Sequence, residues 1–159
     1  MIRPYLAADR AACHRIFHPA VHQGAARAYT ADQRAAWAPS DQRDPAQPDR
    51  FLDQFAFVAE VSGTPAGFMT LDKTGCLDMA FVLPEVMGTG VADALYAAIL
   101  STARAERFSR LTTAASHLAR AFFARHGWQP DQEETHPLRG QLLPRFAMSL
   151  DLTQPADRA

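Results

Sequence analysis

A chain of 159 residues that is 48% hydrophobic, 21% charged and net −1 at neutral pH is long enough to bury a core, and its balance of charge gives no pull toward nucleic acid. No apolar run approaches the length of a membrane span, Met1–Tyr5 does not open a secretory apolar region, and Cys13 and Cys76 form neither a disulfide framework nor a CxxC pair. The expectation is one domain over 1–159, cytoplasmic, with reduced thiols, no nucleic-acid or membrane partner, and a monomeric or homodimeric state.

In chain order, Ile2–Leu6 reads as a short strand, and Asp9 as the cap of a helix running to about Val21. Thr30 caps a second helix over Ala31–Trp37. The polar, proline-rich run Ala38–Pro48 reads as a surface connection, because the segment before it is too short to fold alone. Phe57–Val61 and Gly67–Leu71 flank Ser62-Gly63-Thr64-Pro65, a hairpin by turn chemistry. Cys76–Leu83 is a nearly continuous apolar strand of the kind buried on both faces. A glycine-bearing turn follows, then a long helix to about Glu106. Leu111–Ala114 reads as a strand, His117–His126 as a helix stopped by Gly127, and two last strands bracket Arg139-Gly140. The order is β-α-α-β-β-β-α-β-α-β-β, an α/β chain with a mixed sheet and helices on its faces.

The turn reads Met87-Gly88-Thr89-Gly90-Val91-Ala92. A helix N-terminus leaves about four N–H groups unpaired and carries partial positive charge. Glycine lets the backbone bend there and keeps side chains off those amides, which makes a cradle for a phosphate or pyrophosphate. A P-loop would need Lys-Ser/Thr after the glycines, and a GxGxxG fingerprint would need glycine where Asp93 stands. The plainer reading is a tight strand-to-helix turn.

Two blocks together resemble the GNAT superfamily of N-acetyltransferases. The pyrophosphate loop Q/R-x-x-G-x-G/A of that family is matched by Met87–Ala92, with Gly90 and Ala92 in place and Met87 replacing the usual basic or amide residue. Ser116–Trp128 is similar to the family's N-x-x-A-x-x-F-Y-x-x-x-G-F segment through Ser116, Ala119, Phe122 and Gly127. Phe17–Val21, Tyr29–Gln33, Ala36–Ala38, Leu77–Val82 and Arg139-Gly140 further resemble the bacterial YafP-like branch. The resemblance implies a mostly antiparallel sheet of about six or seven strands and acetyl-CoA as co-substrate, with no metal.

It also implies roles. Main-chain groups of Phe81, Val82 and Leu83 pair with pantetheine, Met87, Gly88, Thr89, Gly90, Val91 and Ala92 hold the pyrophosphate, and Ser116, Phe122 and Phe123 line the thiol arm. Asp78 is the candidate base: apart from the Cys76 thiol it is the only ionisable side chain in an apolar strand, and it resembles the strand-four glutamate that serves some members. The other reading is a solvated or salt-bridged carboxylate. Phe123 stands where many members carry a tyrosine acid, so the proton for the leaving thiolate falls to Tyr29, Ser116 or water. Tyr29 and Trp37 would wall the acceptor and Arg139 hold an anionic one, against helix packing and a solvated turn.

His14, His18 and His22 repeat at i, i+4, i+8, but Arg15 stands where a zinc hydrolase needs glutamate, and Pro19 interrupts the ladder. The expected activity is N-acetyl transfer from acetyl-CoA to an amine of a small molecule or peptide. The alternatives are a non-catalytic acyl-CoA binding module and an O- or S-acyltransferase.

Overall fold

The computed structural model describes residues 1–40 and 46–153, so the middle of the expected connection, 41–45, lies outside the described residues. Seven strands form one sheet: β1 (Ile2–Pro4), β2 (Phe55–Val61), β3 (Thr64–Leu71), β4 (Cys76–Val82), β5 (Arg110–Ser116), β6 (Gln129–Leu138) and β7 (Gln141–Asp151). Their spatial order is β1-β2-β3-β4-β5-β7-β6, and only the β4–β5 pair is parallel. The helices are α1 (Arg10–Pro19), α2 (Ala31–Trp37), α3 (Val91–Ala105) and α4 (Arg120–Arg125). The mixed, mostly antiparallel sheet expected from the sequence is the one observed. Among the described residues no helix is long and apolar enough to cross a membrane.

Both faces of the sheet centre are covered, which is why β3 is buried without a break from Ala66 to Leu71. One core lies beneath α3 and α4, where Leu95, Ile99 and Ala103 of α3 meet Met69, Leu71, Leu77 and Leu111. The spacing of those α3 residues is a helical stripe, and each large side chain taken fully from water contributes about 1.5–3 kcal/mol. The second core lies beneath α1, with Ile16 and Cys13 against Val58, Phe68 and Phe51. Gly67 is the point of closest approach: a Cβ there would stand 2.8 Å from Val82 Cγ1 and 3.2 Å from Leu95 Cδ1.

Several local expectations need correction. The side chain of Asp9 does not cap α1; it takes two bonds from the Arg3 guanidinium and one from the Leu6 amide instead. The first helix does not run on regularly to Val21. It ends at Pro19 and continues as a wider π turn over Ala20–Gly24, since proline offers no N–H to the α-helical ladder. The hairpin turn is the two-residue Ser62-Gly63, both at positive φ, with Thr64 and Pro65 already in β3. The fourth helix begins at Arg120 rather than His117, after a turn in which the Ala119 amide donates to Ser116 Oγ at 3.1 Å. Thr30 does cap α2, in a reciprocal box with Gln33.

Candidate active site

The site begins with one extra residue. Leu71 pairs with Leu77 and Thr70 with Met79, so Asp78 is a β-bulge in β4 with no partner on β3. A bulge re-aims side chains and reverses which main-chain groups face each neighbour. Before it, the Leu77 carbonyl faces β5 and accepts from Thr113 Oγ1 at 2.8 Å. Beyond it, β4 and β5 no longer pair: their register stops at Cys76↔Thr112 and Leu77↔Thr113. The strands therefore diverge, with Ala80–Val82 on one side of the opening and Ala114–Ser116 on the other.

On the open edge only alternate peptides point outward. The Leu83 amide donates to the Ala66 carbonyl at 2.8 Å, so it is turned toward β3. The Phe81 carbonyl also lies on that side, against Gly67. Alternation leaves the N–H and C=O of Val82 and Ala80 facing the gap, which narrows the expected set of Phe81, Val82 and Leu83 to Val82.

Two clefts flank the gap. On the α3 side a cavity of 490 Å³ is lined by β4 residues, by Met87, Gly88, Gly90 and Ala92, and by Ser116, Ala119, Phe122 and Phe123. Gly88 and Gly90 have φ +77° and +92°, a conformation that favours glycine, and nothing lies within 4 Å of where either Cβ would stand. Gly90 is the N-cap of α3 and supplies no side chain, so the first amides of α3 open onto this cavity. Leu83, Thr89 and Val91 do not line it with their side chains: Thr89 Oγ1 donates to the Val86 carbonyl, and Leu83 and Val91 pack on the two cores. The Met87 thioether crosses Gly24 of the π turn, where a Cβ would meet Met87 Cε at 2.7 Å.

Asp93, in the first turn of α3, brings negative charge to the same cradle. It is bound by His126 Nε2 at 2.8 Å and by Arg125 Nη2 at 3.0 Å, and the His126 bond first, then Arg125, hold its carboxyl below the usual range. Phe123 is 2% exposed and packs at a tilt against Trp128 with ring centroids 5.0 Å apart, a packing residue lining the cavity's inner wall.

On the opposite face, a second cavity of 310 Å³ is lined by Tyr29, Trp37, Arg50, Asp78, His136 and Arg145 among others. Phe81 and Ser116 belong to both cavities, so the clefts meet through the gap in the sheet. Asp78 accepts from Arg50 Nε and from Gln54 Nε2, each at 2.9 Å. The Tyr29 hydroxyl donates to the Pro144 carbonyl at 2.6 Å and accepts from the His117 amide at 3.0 Å, and burial raises its pKa. Burial also raises the Cys76 thiol. Tyr29 and Trp37, the residues expected as an aromatic wall, lie with ring centroids 5.4 Å apart, and Phe81 packs 5.9 Å from Trp37.

Arg139 lies apart, lining an adjoining outer cavity of 540 Å³ and donating to the Ala36 carbonyl at 2.6 Å. His14 and His22 bond the Ser40 and Ala38 carbonyls, tying α1 and the π turn to the segment after α2. Arg50, Gln54, His136, Arg145 and Arg125 are site residues that sequence reading missed. The only local signal was for Arg125, inside the second matched block; the others reach the site through pairings distant in sequence.

Comparison with known proteins gives the same placement. A family model described as "Acetyltransferase (GNAT) domain" matches residues 25–142. The uncharacterized N-acetyltransferase YafP of Escherichia coli K12 is 32% identical over 151 residues, covering 92% of this chain and 93% of that protein. A crystal structure of a GCN5-related N-acetyltransferase from Rhodopseudomonas palustris is also 32% identical, with a TM-score of 0.87 and 96% and 95% of the two chains covered. The fold is shared at 20% identity and TM-score 0.67 by yncA of Salmonella typhimurium, solved with its cofactor acetyl-CoA, over 100% of this chain and 97% of that one. A sheet split beside a glycine-opened helix, matched by sequence over most of its length, makes this chain an acyltransferase of the GNAT acetyltransferase family.

Proposed function

We propose that this chain, as one cytoplasmic domain, transfers an acetyl group from acetyl-CoA to an amine of a small molecule or peptide by direct attack in a ternary complex. The observation that carries the reading is the junction of the two clefts at Phe81 and Ser116. A thioester held by the α3-side cleft and an amine held by the other meet in the gap, where orientation alone is worth several kcal/mol. The amides at the start of α3 cradle the pyrophosphate, and the open-edge Val82 peptide pairs with pantetheine and polarises the thioester carbonyl. Asp78, re-aimed by the bulge, takes the ammonium proton, directly or through water. The amine nitrogen then bonds the carbonyl carbon, the C–S bond breaks, and the thiolate is protonated. Ser116 supplies or relays that proton, since its O–H is unengaged among the described residues. Tyr29 is the remaining donor; its proton is held by Pro144 until the acceptor arrives.

Calorimetric titration with acetyl-CoA, followed by thiol release across amine, hydroxyl and thiol panels, tests the reading. Binding with amine-dependent release is the expected result. Binding without release would favour an acyl-CoA sensor, for which the ion-paired Asp78 and the apolar Phe123 speak. Release with hydroxyls or thiols alone would make the acceptor group something other than an amine.

A further inference from the structure

We propose that the acceptor is an amino-acid-type molecule: an amine with a carboxylate on the neighbouring carbon and an apolar body, its carboxylate held by Arg145. This deepens, and rests on, the acetyl-transfer reading above. The first observation is register. Arg145 pairs directly with Ser116 across β5–β7, so their Cα atoms are about 5 Å apart, and Ser116 is one of the two residues shared by both clefts. A group held by Arg145 is thereby within a few atoms of the gap where the amine must attack.

The second observation is the state of the guanidinium. Its Nε donates to Glu134 Oε1 at 2.7 Å, and its terminal nitrogens have no partner among the described residues. Arg145 lines the 310 Å³ cavity together with Tyr29 and Cys76. Guanidinium is suited to carboxylate because it offers two parallel donors, and one edge of Arg145 remains for such a pair.

The third is charge balance. Among the described residues the carboxylates at these clefts are Asp78, bound by Arg50 and Gln54, and Glu134, bound by Arg145. Against them stand Arg50 and Arg145 and, in the adjoining outer cavity, Arg139, which among the described residues binds only a neutral carbonyl; Arg10 at the outer rim has partners of its own. The balance favours an anion beside the attacking amine, while Asp78 remains to face the ammonium. Trp37, Met79, Leu138 and Leu143 supply the apolar floor, and 310 Å³ is at the small end of ligand sites.

The test uses matched sets: phenylalanine, phenylalaninamide and phenethylamine, with the leucine and methionine counterparts, under saturating acetyl-CoA. The acid members are expected to exceed their amides by roughly 10- to 100-fold in kcat/KM, the range for one charged hydrogen-bonded contact. Arg145→Gln should erase that preference, bringing the acid members to the turnover of their amides in the same variant, whereas Glu134→Gln, which breaks the same ion pair but keeps the cation, should retain it. Amides or decarboxylated amines turning over as well as the acids would overturn the inference and leave acetyl transfer standing, as would a preference that survives Arg145→Gln. If no set releases thiol, calorimetry of the same compounds into CoA-saturated protein decides. Binding that requires the carboxylate and Arg145 supports the anion-binding pocket and removes the transfer reading; no carboxylate-dependent binding overturns the pocket as well.

Discussion

Asp78 and Arg50 meet at 2.9 Å on the wall of the 310 Å³ cavity, and Asp78 is the bulge residue of β4. Arg50 is 58% exposed and Asp78 28%, so the pair is worth about 1 kcal/mol or less in stability. What the bulge contributes is position: a carboxylate at the point where two strands part. Asp78→Asn is therefore expected to leave acetyl-CoA binding and the melting temperature nearly unchanged. Loss of a positioned general base should lower kcat by roughly 10²–10⁴. A loss of less than about threefold, measured by thiol release with a working acceptor, would assign deprotonation elsewhere.

Gly90 caps α3 at φ +92° with empty space beyond it. A side chain there costs about 1–2 kcal/mol of backbone strain, without a clash in the free protein. Gly90→Ala reports that strain; Gly90→Glu adds a carboxylate across amides that are to hold phosphates. The glutamate variant should stay folded and lose acetyl-CoA affinity by at least roughly 100-fold, while alanine loses much less, an order set by like charges meeting in one cradle. Equal affinity for wild type and Gly90→Glu in a calorimeter would place the pyrophosphate somewhere else.

How far these features were legible in sequence depends on their range. The Thr30 cap, the strand before the glycines and the long helix after them are local, and local chemistry announced them. The bulge at Asp78 was not legible, because it exists only in the offset between Thr70–Leu71 and Leu77–Met79. Arg50, His136 and Arg145 were missed for the same reason. Each is an ordinary polar residue in its own segment and acquires meaning from a partner on another strand. Asp9 shows the converse: its position before a helix suggested a cap, but an arginine six residues away offered a stronger, charge-assisted partner.

The Tyr29 hydroxyl ties the segment before α2 to the end of the β5–β7 pairing, through Pro144 of β7 and His117 after β5. Tyr29 is 4% exposed, so Tyr29→Phe strands a carbonyl and an amide in a poorly hydrated place. That costs about 1–3 kcal/mol. In a chain of this size the melting temperature should fall by roughly 3–10 °C. If the hydroxyl is only a strut, kcat below the melting range stays within a few-fold. A 100-fold drop in kcat with unchanged acetyl-CoA affinity would make it a proton donor instead.

Asp9 and Arg3 set an acid limit on stability. The Asp9 side chain is 8% exposed and that of Arg3 25%. The Arg3 bond first, and then the Leu6 amide, depress the Asp9 carboxyl against the opposing effect of burial. Because the folded-state value lies below the unfolded one, the contribution is complete above the unfolded value of about 4 and is lost as pH falls through the folded value. Asp9→Asn should cost about 2–3 kcal/mol at pH 7, at or below the ~3–5 kcal/mol for breaking a fully buried pair, because Arg3 keeps Glu60 at 2.6 Å. The gap between wild type and variant in urea midpoints should then close progressively below about pH 4. A gap that is constant from pH 7 to pH 2 would mean that the asparagine destabilises through packing, and that the ion pair contributes nothing.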